Sequence, residues 1–201
     1  MYYKKYMNLK YPEKTGAFFM HVLKNDQIKK FLSQLKEFDS KLYLHSMRVG
    51  LLCIDCGIDY NYNEKDLTVL ACSGLLHEIG KLKTPYKNIE EIENHPKKGF
   101  LILEHFEFKE VRKIVVGHHE YSKTNPFPRK DTPCMKKKTD RREYNKKRLD
   151  LTQIVSLANM TEHFLTKKMT DKELSKSYVE ELLKKEFAGN SSLIPQVLCR
   201  F

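Results

Sequence analysis

No stretch of this chain approaches the ~20 consecutive apolar residues that a membrane-spanning helix needs. The first residues, Met1-Tyr-Tyr-Lys-Lys-Tyr-Met-Asn8, lack the apolar centre of a secretory leader. No segment shows a convincing run of period-2 apolar alternation, so nothing in the pattern calls for a sheet. A single CxxC, Cys53 and Cys56, has no second pair to complete a zinc site. With Cys72, Cys134 and Cys199 the cysteines number 5, an odd count. Cys53 and Cys56 read as buried thiols in a helical apolar pattern, in preference to a zinc or redox pair, and a reducing cytoplasm is the expected location.

What is present is a chain of 201 residues, 40% hydrophobic and 31% charged, which suits one globular domain with a sizeable core. The net charge of +11 is uneven. Lys123 to Arg148 holds 11 Lys and Arg against 3 Asp and Glu, and so carries +8 of it. Pro126, Pro128 and Pro133 fall there, and aliphatic residues are few. Residues 123–148 read as a mobile basic surface loop. Its plain role is a solvated insertion; its functional role would be attraction of an anionic substrate or of nucleic acid.

Apolar spacing predicts an all-α bundle. Residues 1–38 form an N-terminal helical extension, in which Ile28, Phe31, Leu32, Leu35 and Phe38 make one amphipathic stripe from Asp26. A second helix starts at Asp39 or Ser40, either able to cap it, and runs through Leu42, His45, Val49, Leu52 and Cys56 to Gly57. Leu67, Leu70, Ala71, Gly74 and Leu75 repeat at i, i+3, i+4, i+7 and i+8, which marks a buried helix ending at His77-Glu78, with Gly80 as its stop. Further helices carry Phe100 to Phe106, Val111 to Val115, and Leu151 to Leu165. Asp171 can cap another that reaches Gly189, and Pro195 sits in the first turn of the last.

Neighbouring side chains on a helix point about 100° apart, so His77 and Glu78 can face one point only where the helix ends or a cation draws both inward. His118 and His119, just past another helix, repeat that geometry. Imidazole is the commonest side-chain ligand of transition metals. Two metals side by side suit phosphoester cleavage, and a lysine ammonium suits phosphate. The ordered set is His45, then His77-Glu78-Ile-Gly-Lys81, then His95-Pro96, then His118-His119-Glu120.

That order resembles the HD superfamily of metal-dependent phosphohydrolases, and within it the HD-GYP branch, which hydrolyses cyclic di-GMP. Asp39-Ser-Lys-Leu-Tyr-Leu-His45-Ser-Met-Arg48-Val49 is similar to the opening helix of that branch. Leu75 to Lys81 matches its namesake motif, His95 to Gly99 and His118 to Glu120 the next two, and Ser156 to Glu162 the segment of its last ligand. Residues 39–201 are thereby expected to form an HD-type phosphohydrolase domain. The resemblance implies two divalent transition metals, Fe, Mn, Ni or Zn. One would be held by His45, His77, Glu78 and Asn159, the other by Glu78, His95, His118 and His119. Glu78 and Lys81 would serve catalysis, and Lys81, Arg48 and Arg129 would bind a phosphorylated small molecule or cyclic dinucleotide. Three positions depart from the pattern. Glu78 stands for the bridging aspartate, neutral Asn159 for an anionic ligand, and Pro126-Phe127-Pro128 lies where the Gly-Tyr-Pro signature belongs. These departures weaken the expected turnover and the His45 site, and they define the alternative, a domain that binds a nucleotide or protein partner with little catalysis.

Overall fold

The computed structural model describes residues 7–84, 94–124, 142–167 and 176–200. All regular structure among them is helical: α1 (Pro12–Val22), α2 (Asp26–Phe38), α3 (Ser40–Asp59), α4 (Glu64–Leu76), a 3-10 turn (Ile79–Lys83), α5 (His95–Ile102), α6 (Lys109–Gly117), α7 (Arg142–Lys167), α8 (Lys176–Glu186) and α9 (Leu193–Leu198). The all-α bundle expected from the apolar spacing is therefore the observed architecture of the described residues. None of these helices is long and apolar enough to cross a membrane.

Local chemistry sets the helix starts. Asn25 accepts from the Ile28 amide and opens α2, Asp39 accepts from the amides of Lys41 and Leu42 and opens α3, and Asn63 accepts from the Asp66 amide and opens α4. The start of α7 differs from expectation. Residues 142–148, read as the end of the basic loop, are helical. They contain neither proline nor glycine, and their arginines and lysines are good helix formers. The rest of that loop, 125–141, lies outside the described residues, as do Pro85 and Asp171.

Helix α3 lies at the centre, packed against α1, α2, α4 and α7. Its approach to α4 is close because glycines face each other: a Cβ on Gly74 would sit 3.0 Å from the Gly50 Cα and 2.9 Å from the Cys53 sulfur. Leu52, Ile54, Leu70, Leu75, Ile114 and Ile154 are buried in one apolar core that also takes in Phe19, Ile28 and Leu35 from α1 and α2. Cys53, Cys56 and Cys72 are buried free thiols within it, and burial pushes the Cys56 and Cys72 thiols up to about 12.

A buried ion pair joins both ends of the chain to α3. Asp55 accepts from the backbone amides of Lys10 and Tyr11 and from the Thr15 hydroxyl, and it pairs with Arg200; neither Asp55 nor Arg200 has any solvent exposure.

Gly80 does not act as the expected helix stop, since no described glycine has a positive φ. Its role is close approach. A Cβ there would lie 1.8 Å from the His95 carbonyl oxygen and 2.5 Å from the Gly99 nitrogen, so the hydrogen side chain lets the 3-10 turn rest on the first turn of α5. That contact brings His95 up to Glu78.

Candidate metal centre

Three helix ends, of α4, α5 and α6, and two helix faces, of α3 and α7, supply the site. Helix α4 stops at Leu76, His77 keeps helical angles, and Glu78 turns away at φ −98° and ψ 4°, so both side chains point inward. Their Nε2 and Oε1 atoms are 3.9 Å apart. His118 and His119 follow the end of α6 in the same way. His95 is the first residue of α5, and His45 lies within α3. The donor atoms of His45, His77 and Glu78 fall within 4.8 Å of one another, and those of His95, His118 and His119 do likewise.

Hydrogen bonds fix which nitrogens are bare. His77 Nδ1 donates to the Gly74 carbonyl at 2.9 Å, and His118 Nδ1 donates to the Val115 carbonyl at 2.6 Å. Both carbonyls belong to last turns, where such groups have no helical partner. Nε2 of each ring is then the unprotonated atom. Burial disfavours a second proton: it holds His77 down at about 3 and His118 well below its ordinary range, while His119 falls to about 4. Yet His77 Nε2 meets His45 Nε2 at 3.0 Å, and His118 Nε2 meets His95 Nε2 at 3.3 Å. Two ring nitrogens at these separations, one of them bare, can share one hydrogen or turn together to ligate one metal ion. A buried acceptor left without one costs about 1–3 kcal/mol.

Glu78 ties the two groups together. Its Oε2 is 3.0 Å from His95 Nε2, and its Oε1 accepts from Lys81 Nζ at 2.9 Å. Burial pushes its carboxyl up, but His95, Lys81 and His77 outweigh burial and hold it well below the usual carboxylate range. The negative ends of the α4 and α6 dipoles also point here. Bare imidazole nitrogens, one ionised carboxylate and converging helix C-termini fit a divalent transition metal, which these residues could hold.

The centre floors a pocket of about 930 Å³. Lys81, Arg48 and Lys41 bring positive charge to it, and Leu42, Leu44, Met160, Phe164 and Leu182 bring apolar surface. Asn159 is buried at its wall. Arg48 lines the pocket but is already engaged: its guanidinium pairs with Glu162 Oε1, while Glu162 Oε2 accepts from His45 Nδ1. Arg48 is thus bound to a carboxylate where a free substrate cation was expected, because Glu162 lies on the facing side of α7. Arg129 lies outside the described residues, as does Pro126-Phe127-Pro128. Two contributors escaped the sequence reading. One is Glu162, whose signal was a glutamate inside the apolar stripe of α7. The other is Ser156, whose hydroxyl donates to the His118 carbonyl at 2.6 Å. His163 also lines the pocket, whereas His21 and His105 are exposed elsewhere.

Residues 42–162 match the HD domain, more than half of the chain, and the protein belongs to the HD-domain family. Its fold is similar to that of the HD domain of L. monocytogenes phosphodiesterase PgpH, with a TM-score of 0.52 at 15% identity over 77% of this chain and 81% of that one. No curated protein matches the chain.

Proposed function

We propose that this HD-domain protein is a divalent-metal phosphohydrolase that cleaves a phosphodiester of a nucleotide or cyclic dinucleotide, with its motifs nearest the HD-GYP branch. The observation that carries this reading is the convergence of His45, His77, Glu78, His95, His118 and His119 beneath a pocket that also presents Lys81. A divalent metal held by these residues supplies a Lewis acid for phosphoryl oxygen and acidifies water at neutral pH. Lys81 keeps one N–H on Glu78 and has two more to offer a phosphate oxygen. Glu78, ionised and buried, holds Lys81 and His95 in place and serves both halves of the cage. Leu42, Leu44, Met160, Phe164 and Leu182 form a wall suited to the non-phosphate part of a nucleotide. The phosphodiesterase name of the L. monocytogenes neighbour supports the same reaction class.

The test is hydrolysis of bis(p-nitrophenyl) phosphate by Mn2+-loaded protein. Turnover that disappears in His77→Ala supports the proposal. A second reading, nucleotide or protein-partner binding with little turnover, is favoured by the neutral amide of Asn159 at the pocket wall. Nucleotide binding without hydrolysis of any diester in the loaded wild type would select it.

A further inference from the structure

The His45 side of the cage is short of negative charge. It is built from two imidazoles and the Glu78 carboxylate, with a neutral amide, Asn159, at the nearby wall. Glu78 is shared with His95 and Lys81. A dication in a buried site calls for anionic compensation, since an uncompensated buried charge is strongly disfavoured. Arg48 already balances the charge of Glu162, but the Glu162 carboxylate is placed to strengthen that side through His45. It is 1% exposed, it accepts from His45 Nδ1 through Oε2, and Arg48 holds its Oε1. The Thr166 hydroxyl lies 3.5 Å from Oε2.

We propose that Glu162 is a positioning residue that, acting through His45, sets how tightly the His45/His77 side of the cage binds a divalent cation. The inference rests on the metal-binding reading of the cage. A carboxylate on Nδ1–H locks one tautomer, so that Nε2 is the bare atom facing His77, and it makes that nitrogen a stronger donor. Arg48 aims the carboxylate by occupying its other oxygen. A purely structural tie between α3 and α7 would affect melting and leave cation affinity and tautomer alone.

The experiment titrates metal-free wild type, Glu162→Gln and Glu162→Asp with Mn2+ by calorimetry, and reads the His45 ring by 15N NMR before metal is added. Glu162→Gln should weaken one binding event by roughly 10–100-fold and leave the other unchanged, with partial recovery in Glu162→Asp. His45 Nδ1 should carry a hydrogen in the wild type, whatever hydrogen Nε2 shares with His77, and should carry it only in part of the molecules in Glu162→Gln. In a His45→Ala background the glutamine should have no further effect. Unchanged affinities in folded Glu162→Gln, or an equal loss with His45 already removed, would overturn the inference. Should Glu162→Gln not fold, Glu162→Asp and the wild-type ring decide, and a wild-type His45 with no hydrogen on Nδ1 overturns it. A wild type that takes up no cation sinks the cage reading itself, whereas uptake indifferent to residue 162 sinks this inference alone.

Discussion

Gly80→Ala changes no ligand, yet it should dismantle the centre. The added Cβ would stand 1.8 Å from the His95 carbonyl oxygen, 2.5 Å from the Gly99 nitrogen and 2.8 Å from the His95 carbonyl carbon. All three are backbone atoms, so no side chain can swing aside. The 3-10 turn and α5 must separate by more than about 1 Å to restore the ~3.0 Å below which real Cβ contacts are essentially never found. Glu78 precedes the turn and His95 opens α5, so their 3.0 Å contact opens by a similar amount. Overpacking of this kind costs about 1–3 kcal/mol, or more where backbone is involved. At roughly 2–4 °C per kcal/mol for a chain of this size, Tm should drop by about 2–12 °C. A misplacement near 1 Å can cost ~100-fold in rate. Calorimetric melting with plasma-emission metal analysis on the same samples reads both effects. Gly80→Ala protein with wild-type Tm and wild-type metal content would refute the close-approach argument.

Three further outcomes follow from the same geometry. Burial holds His77 at about 3 and His119 at about 4, below the 6.5 of a free histidine, so the unfolded chain binds more protons between those values. Metal-free protein should therefore lose stability steadily as pH falls from about 6.5 to about 4; a flat Tm across that range, read by circular dichroism, would contradict it. Asp55→Ala leaves the fully buried Arg200 with Asp59 as its remaining carboxylate, 3.2 Å away, and takes the acceptor from the Lys10 and Tyr11 amides; it should cost at least about 1–3 kcal/mol, visible as a lower denaturant midpoint with metal uptake per folded molecule intact, and an unchanged midpoint counts against the clamp. Asn159→Asp adds a negative charge at the pocket wall and should raise occupancy of the His45/His77 side, which otherwise fills more weakly than the Glu78/His95/His118/His119 side; equal occupancy in both proteins would rule this asymmetry out.

The helix ends at His77 and His118 were legible because an apolar stripe stops abruptly at a ligand-type residue. The periodicity and the chemistry agree there. Glu162 was not legible as a site residue, since an inward-facing glutamate looks the same whether it faces solvent, an arginine or a histidine 117 positions away. Gly80 shows the complementary failure. A glycine that ends a helix and one that admits a neighbouring backbone look alike until the neighbour is known. The use of residues 7–15 was equally hidden, because the partner of Lys10, Tyr11 and Thr15 is an aspartate on α3 whose own partner, Arg200, lies 145 residues further on. Local signals mark elements and ligand types; pairings across such distances come from the packed core alone.

Glu78 and the five histidines around it are expected to cage divalent cations. The most direct measurement is a crystal of Mn2+-loaded protein examined by anomalous scattering. The account predicts anomalous peaks between His45, His77 and Glu78 and between Glu78, His95 and His118, with the second the stronger. Loaded crystals with no peak inside the cage would contradict it.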